Sequence, residues 1–206
     1  TSLAFSPDGT QLISVGQDNK NTHKLWTDVG GNWCRVQCTA TATSDQSTVF
    51  FSQWLQGNHK SQCALVSGGA KSINFWQIEG ATLVKKQGRF GRKYKQSPLL
   101  CAANLQTSDE KGGSKTWCII VGTASGSLFS FDDRDVSAGI EKAHNGPVLC
   151  LAEGNKECSY LVSGGKDHSV RVWNQALQPI SSFDVSKLCI SDASIASLDV
   201  RPFVDG

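Results

Sequence analysis

Residues 163–173 read Ser-Gly-Gly-Lys-Asp-His-Ser-Val-Arg-Val-Trp. Glycine and aspartate favour a tight turn, and the period-two alternation of polar and apolar residues that follows is typical of a short β-strand. Three further segments share this layout, and the aromatic residues that close the four segments are Trp26, Trp76, Phe131 and Trp173. The sequence therefore repeats itself with a period of about 40–55 residues.

Each repeat also opens with a short apolar run. These runs begin at Leu3, Val49, Leu99 and Val148, and a fifth run begins at Ile195. No long stretch has the 3.6-residue period of an α-helix. Groups of four short strands at this spacing predict an all-β fold, a β-propeller, in which blades stack around an axis because one blade cannot bury both of its faces alone.

The predicted propeller is partial: residues 1–206 are expected to form about four to four and a half blades of a larger propeller. The predicted blades cover approximately residues 1–35, 36–82, 83–137 and 138–178, and residues 179–206 start the next blade. The chain begins at Thr1 without a charged-then-apolar leader, so we expect a piece of a longer protein with no signal peptide in view.

The composition excludes several classes of protein. The 206 residues include 20 basic and 18 acidic residues, for a net charge of +2. This near-balance argues against a dedicated nucleic-acid-binding or membrane-surface protein, and no apolar run approaches the length of a membrane span. The eight cysteines include no Cys-x-x-Cys pair, and several lie in apolar runs. They are therefore predicted to be reduced core thiols in a cytosolic compartment.

The fourth repeat resembles a WD repeat. Ala143-His144 lies where that family has Gly-His, and Trp173-Asn174 lies where it has Trp-Asp. The resemblance implies a structural tetrad of hydrogen-bonded side chains in this blade. Its members would be His144, Ser163, Asp167 and Trp173.

The other repeats depart from the WD pattern. The first keeps Asp18 and Trp26, the second has Ala70-Lys71 where the aspartate belongs, and the third has Phe131 in place of the tryptophan. A full tetrad is therefore expected only in the fourth blade.

Longer segments of the sequence indicate a particular family of WD-repeat proteins. Residues 83–91 read Leu-Val-Lys-Lys-Gln-Gly-Arg-Phe-Gly, and residues 143–148 read Ala-His-Asn-Gly-Pro-Val. Over about residues 1–185 the chain resembles the first propeller of the echinoderm microtubule-associated protein-like family. The resemblance implies a non-catalytic scaffold that binds microtubules or tubulin in the cytoplasm and cytoskeleton, with a spindle or a cilium left open. A WD-repeat adaptor in another assembly, such as a ubiquitin-ligase or transport complex, is the alternative.

Residues 85–95, here called the basic segment, hold six basic residues and two aromatic residues. An acidic protein surface, such as that of tubulin, would suit this segment. Alternatively, the cations only keep an outer strand and loop soluble, or cations and rings together hold single-stranded nucleic acid. We predict no nucleic-acid partner. The candidate partner-binding residues are Lys85, Lys86, Arg89, Phe90, Arg92, Lys93 and Lys95.

No constellation in the sequence predicts an enzyme. His144, Asp167 and Ser163 are the residue types of a catalytic triad, but in a WD blade these groups fasten a loop to a strand. Residues 108–116 contain Gly-Gly-Ser-Lys but lack the spacing of a phosphate-binding loop, so a polar hairpin is predicted there.

The remaining histidines and cysteines do not predict a metal site. His23, His59 and His168 stand alone in the sequence, and Cys34 and Cys38 lie too far apart along a strand to chelate one ion. We therefore predict no catalytic residue, no metal, no cofactor and no membrane partner, and any oligomerisation is expected to use regions outside this chain.

Overall fold

A computed structural model describes residues 2–57, 62–108, 115–154, 160–187 and 194–200. The first blade contains β1 (Ser2–Phe5), β2 (Gln11–Val15), β3 (His23–Asp28) and β4 (Val36–Ala42). The second contains β5 (Val49–Trp54), β6 (Leu65–Gly69), β7 (Ile73–Glu79) and β8 (Thr82–Gln87). The third contains β9 (Leu99–Ser108), β10 (Lys115–Thr123), β11 (Leu128–Asp132) and β12 (Asp135–Ile140). The fourth contains β13 (Val148–Glu153), β14 (Leu161–Gly165), β15 (Ser169–Trp173) and β16 (Pro179–Asp184). A single 3-10 turn, Val185–Lys187, follows β16.

Each blade is an antiparallel meander in which consecutive strands pair. The first strands of the blades lie next to one another, since β1 packs on β5, β5 on β9 and β9 on β13. A single parallel bridge between Thr41 and Thr82 joins the outer strands of the first two blades. The predicted fold class is confirmed: the chain is all-β and forms an arc of WD-repeat propeller blades.

Each blade includes an outermost strand that the predicted boundaries place wholly or partly in the following blade. The fourth strand β4 pairs with β3 of the first blade, although the predicted boundary puts residue 36 in the second. Likewise β8 pairs with β7, and β16 pairs with β15. The predicted boundaries lie soon after the closing aromatic residue of the third strand, because the outermost strand carries no signature residue of its own.

The core consists of apolar layers between neighbouring blades. Strand β10 shows how the period of two builds them, because Ile119 faces the second blade and Ile120 faces the fourth, and both are fully buried. Burial of side chains of this size stabilises a fold by about 1.5–3 kcal/mol each. The largest fully buried side chains include Trp76, Phe75, Phe129, Phe131 and Leu25.

The outward face of the first blade is apolar and open. Leu3 and Phe5 alternate on β1 with residues that face the second blade, and they are 71% and 59% exposed.

Among the described residues, no helix is long and apolar enough to cross a membrane. Six cysteines are described as free thiols; Cys63, Cys118 and Cys150 are buried as predicted, whereas Cys34 and Cys38 are exposed on the β3–β4 hairpin and its strand.

Candidate functional site: the histidine networks and the basic segment

In the fourth blade the structure brings the four predicted tetrad residues together. His144 comes from the linker before β13, and its Nδ1 lies 2.9 Å from Oδ1 of Asp167 in the β14–β15 turn. Its Nε2 lies 2.7 Å from Oγ of Ser163 on β14. The same Oγ accepts a hydrogen bond of 2.8 Å from the indole N–H of Trp173 on β15. The network thus ties the linker, the turn and two strands of one blade to each other.

Ser169 is a further member that the sequence did not single out. Its hydroxyl donates to Oδ1 of Asp167 at 2.8 Å and lies 3.0 Å from Nδ1 of His144. The backbone N–H of Asn145 donates to the other carboxylate oxygen of Asp167 at 2.9 Å. Asp167 therefore has partners in both the turn and the linker, as a partly buried carboxylate requires.

The electrostatics of this network favour a neutral imidazole beside a charged carboxylate. Burial lowers the pKa of His144, against the opposing influence of Asp167. Burial acts to raise the pKa of Asp167, but hydrogen bonds from His144, Asn145 and Ser169 outweigh it and hold that pKa well below its usual range. Because His144 and Ser163 are 1% and 0% exposed, no substrate can reach them. The arrangement fastens the blade.

The second blade has a related network that the sequence analysis missed. Its Ser67 on β6 accepts a hydrogen bond of 2.8 Å from the indole N–H of Trp76 on β7. The imidazole comes from His23 on β3 of the first blade, with Nε2 3.1 Å from Oγ of Ser67. Its Nδ1 lies 2.7 Å from the carbonyl oxygen of Asn21, which takes the place of the missing aspartate. His23 stands alone in the sequence, but the structure gives it partners in two blades.

His23 is completely buried and stacks on the indole ring of Trp76. The ring centroids are 4.3 Å apart, and the planes are inclined by 37°. Burial lowers the pKa of His23 to about 4, so the ring is neutral at physiological pH. The recurrence of Ser-Gly-Gly before an aromatic strand in residues 67–76 was the available signal, but it does not say which histidine completes the network.

Among the described residues, no imidazole joins the corresponding positions of the first and third blades. In the first, the indole N–H of Trp26 donates to Oγ of Ser14 at 2.8 Å, and Asp18 accepts hydrogen bonds from the backbone of its own turn. In the third, Val121 and Phe131 occupy the places of the serine and the tryptophan and belong to the apolar layer against the second blade. At these two positions the third blade therefore has apolar packing where the other blades have a hydrogen-bonded serine and tryptophan.

The basic segment crosses from the second blade to the outer edge of the third. The backbone N–H of Arg89 donates to the carbonyl of Arg134 at 2.8 Å, and the N–H of Val136 donates to the carbonyl of Arg89 at 3.1 Å. Further along, Phe90 and Tyr94 pack on Phe129, with ring centroids 5.6 and 5.2 Å apart. The segment thus covers the edge strand β12, which protects it from pairing with other chains.

These contacts divide the seven candidate partner-binding residues. Lys85 pairs with Asp45 at 2.8 Å, and Arg89 forms two hydrogen bonds with the carboxylate of Asp135, at 2.7 and 2.6 Å. Phe90 faces the third blade, and Lys86 lies half-buried on β8. The remaining three are exposed and form no ion pair within the part of the chain that the structure describes: Arg92, Lys93 and Lys95.

Other predicted sites can be placed only in part. His59 and residues 109–114 of the predicted polar hairpin lie outside the described residues. Among the residues that are described, no cluster of histidine, cysteine, aspartate or glutamate could hold a metal ion. Two clefts lie beside the third blade, with volumes of about 280 and 430 Å³. The larger is lined by Lys95 and Lys142, so it adjoins the exposed end of the basic segment.

Comparison with known proteins agrees with this geometry. The family model described as WD domain, G-beta repeat, matches residues 1–26 and 136–174, which lie in the first blade and around the fourth. The crystal structure of the computationally designed Ika8 protein superposes with a TM-score of 0.58 at 23% identity, covering 87% of this chain and 47% of that one. That likeness supports the fold alone. The fold and the repeats make the chain a WD-repeat β-propeller protein.

The curated relatives are more specific. Echinoderm microtubule-associated protein-like 1 of Homo sapiens and of Rattus norvegicus is 26% identical over 189 residues, which are 90% of this chain and 21% of the relative. Echinoderm microtubule-associated protein-like 4 of Xenopus tropicalis is 27% identical over 192 residues, 89% of this chain and 20% of the relative. The predicted resemblance to the echinoderm microtubule-associated protein-like family is confirmed, and the chain spans about a fifth of the length of these relatives.

Proposed function

We propose that the chain is part of a non-catalytic scaffold that binds tubulin or microtubules in the cytoplasm. Its curated relatives are named as microtubule-associated proteins. The observation that carries the proposal is the exposed end of the basic segment, where Arg92, Lys93 and Lys95 face solvent on a fold related to those proteins. Unpaired surface cations attract an acidic protein surface and accelerate its association.

The scaffold role is supported by the histidine networks as well. The side chains that resemble a catalytic triad are buried and engaged in fastening the fourth blade. A rigid blade with loops at its ends is a platform for binding other proteins. We propose that the chain binds neither nucleic acid nor a membrane. Any self-association of the protein is proposed to use regions outside this chain.

Co-sedimentation with polymerised tubulin and pull-down of soluble tubulin, each at two salt concentrations, test the proposal. We expect the double variant Arg92→Glu with Lys93→Glu to weaken binding about tenfold at low salt and to reduce the salt dependence, because surface ion pairs are screened. Arg35→Glu is the control, since Arg35 is also exposed but belongs to the β3–β4 hairpin at the other end of the blades.

Equal binding by the double variant and the native protein would remove the basic segment from the proposal. Absence of binding at both salt concentrations would contradict the tubulin proposal itself and would favour an adaptor role in another assembly.

A further inference from the structure

One end of the blades forms a continuous surface of turns and linkers. In an antiparallel meander, the turn between the second and third strands lies at the same end as the linker from the fourth strand to the next blade. We call this end the linker rim. It consists of the turns 16–22, 70–72, 124–127 and 166–168 and of the linker residues 43–48, 95–98 and 141–147.

Backbone hydrogen bonds hold the linker rim together from blade to blade. Each turn bonds to at least one neighbouring linker, so the rim is a fixed platform. The bonds are Ser44 N–H to Lys20 O at 2.8 Å, Ala70 N–H to Thr48 O at 2.9 Å, Ala124 N–H to Pro98 O at 2.8 Å, His144 N–H to Gly126 O at 2.9 Å and Lys166 N–H to Pro147 O at 2.9 Å.

The linker rim presents a row of lysines. All five are exposed, and none forms an ion pair within the described ranges of the chain. They come from the turns of the first, second and fourth blades and from the linkers on either side of the third. The five are Lys20, Lys71, Lys95, Lys142 and Lys166.

The carboxylates of the same rim are mostly engaged within the fold. Asp18 accepts hydrogen bonds from the backbone of its turn, Asp45 pairs with Lys85, and Asp167 belongs to the fourth-blade network. Glu141 is the exception, because it lines the 430 Å³ cleft. The five lysines of the rim therefore outnumber its four carboxylates, three of which already have partners within the fold.

The opposite end of the blades has the reverse character. Its described charged residues, at turns and strand ends, are seven carboxylates and three cations. The carboxylates are Asp8, Asp28, Glu79, Asp132, Asp133, Asp135 and Glu153, and the cations are Arg35, Lys115 and Arg134. Among the described residues, this difference in charge favours the approach of an acidic ligand to the linker rim.

The cleft gives the linker rim a concave anchor point. Lys95 and Lys142 line it together with the hydroxyl groups of Ser125 and Ser127. Phe129 also lines the cleft. Ammonium and hydroxyl donors beside an apolar surface suit a carboxylate on a short methylene stem.

We propose that the linker rim binds an extended acidic polypeptide, with one carboxylate side chain of that polypeptide in the cleft between Lys95 and Lys142. Because the cations are spread along the rim, they suit a ligand that carries several negative charges in a row better than one small anion. All five cations are lysines. The lysine ammonium lacks the planar guanidinium of arginine, which binds phosphate through two parallel hydrogen bonds. The aromatic residues of the adjoining basic segment, Phe90 and Tyr94, pack on Phe129 and offer no platform for stacking bases.

This inference deepens the proposed function, because it assigns the chemistry of the protein partner and a second surface that meets the basic segment at Lys95. Its test leaves the basic segment intact. Fluorescence anisotropy with a labelled short polyglutamate peptide would measure binding to the purified protein that carries this chain. A polyglutamine peptide of equal length would serve as the neutral probe.

We expect the double variant Lys71→Glu with Lys142→Gln to weaken polyglutamate binding about tenfold. The control Arg35→Glu reverses a charge at the opposite end of the blades and is expected to alter binding by less than about twofold. Glu141→Gln should tighten binding about two- to fivefold, because it removes the one carboxylate of the cleft. Thermal melting would show that each variant keeps the native fold.

Equal losses in the rim variant and the control, or equal binding of polyglutamate and polyglutamine, would overturn the inference. Tighter binding of single-stranded RNA than of polyglutamate would also overturn it. A rim variant that loses polyglutamate binding in a protein that does not bind tubulin would support the inference and contradict the proposed function. Tubulin binding that depends on Arg92 and Lys93, without polyglutamate binding at the rim, would do the opposite.

Discussion

The second and fourth blades place the same three chemical groups together by different routes. In both, a serine on the second strand accepts a hydrogen bond from an indole N–H and lies beside an imidazole Nε2. In the fourth blade the imidazole belongs to the linker that enters that blade, whereas in the second it belongs to a strand of the preceding blade. The network of the fourth blade therefore fastens one blade, and that of the second joins two.

The difference shows what the blade requires. A buried serine beside a buried indole needs a third polar partner, and any element that delivers an imidazole will satisfy it. The third blade makes the same point from the other side, because the apolar residues Val121 and Phe131 take the places of the serine and the tryptophan. A junction whose polar groups are all hydrogen-bonded is stable, and so is one that is entirely apolar. A buried polar group without a hydrogen-bond partner reduces the free energy of unfolding.

We expect the largest effect on stability from the histidine that joins two blades. His23→Ala removes a fully buried ring, its contact with Trp76 and the polar partner of Ser67. The loss should be about 3 kcal/mol in the free energy of unfolding, measured by urea denaturation. Lys20→Ala, an exposed change in the adjoining turn, is the control and should cost less than about 0.5 kcal/mol. Similar urea midpoints for both variants would show that His23 does not stabilise the contact between the first two blades.

The fourth blade should be less sensitive to loss of its carboxylate. Asp167→Ala removes the acceptor of Ser169 and of the Asn145 N–H and leaves Nδ1 of His144 with Ser169 as its one described partner, so we expect a loss of about 2 kcal/mol in the free energy of unfolding. Asp18→Ala is the matched control, because Asp18 occupies the corresponding turn of the first blade without an imidazole, and its loss should be under about 1 kcal/mol. An unchanged urea midpoint for Asp167→Ala would show that the tetrad does not contribute to stability.

The smallest of the three effects is the response to mild acid. Burial lowers the pKa of His23 to about 4, while the unfolded chain titrates near 6.5. Below pH 6.5 the unfolded state takes up a proton that the folded state does not, so stability falls as the pH falls, until the folded pKa is reached. We expect a loss of about 1 kcal/mol between pH 7 and pH 5.5, to which His144 adds in the same direction.

Urea denaturation at several pH values between 5.5 and 7 would measure this slope. The variant His23→Asn removes the titrating group and should flatten the profile. A steeper profile in the variant than in the native protein would show that other groups cause the acid response.

The candidate site was predictable only where its residues are close in sequence or follow a family pattern. The tetrad of the fourth blade lies within residues 144–173, and its spacing matches the WD repeat. His23 and Ser67 are 44 residues apart and belong to different repeats, so no local pattern relates them. The basic segment was visible as composition, but the sequence did not show that Arg89 is paired with Asp135 and that Phe90 faces the third blade.

The sequence alone determined the strands, the turns and the all-β class, because alternation and turn chemistry act between neighbouring residues. It also determined that the fourth blade closes with a WD-type network. Only the tertiary structure decided which imidazole completes the second blade, which cations remain exposed and that five lysines share one rim. Those outcomes depend on contacts between blades, where stacking brings together residues that the chain keeps tens of positions apart.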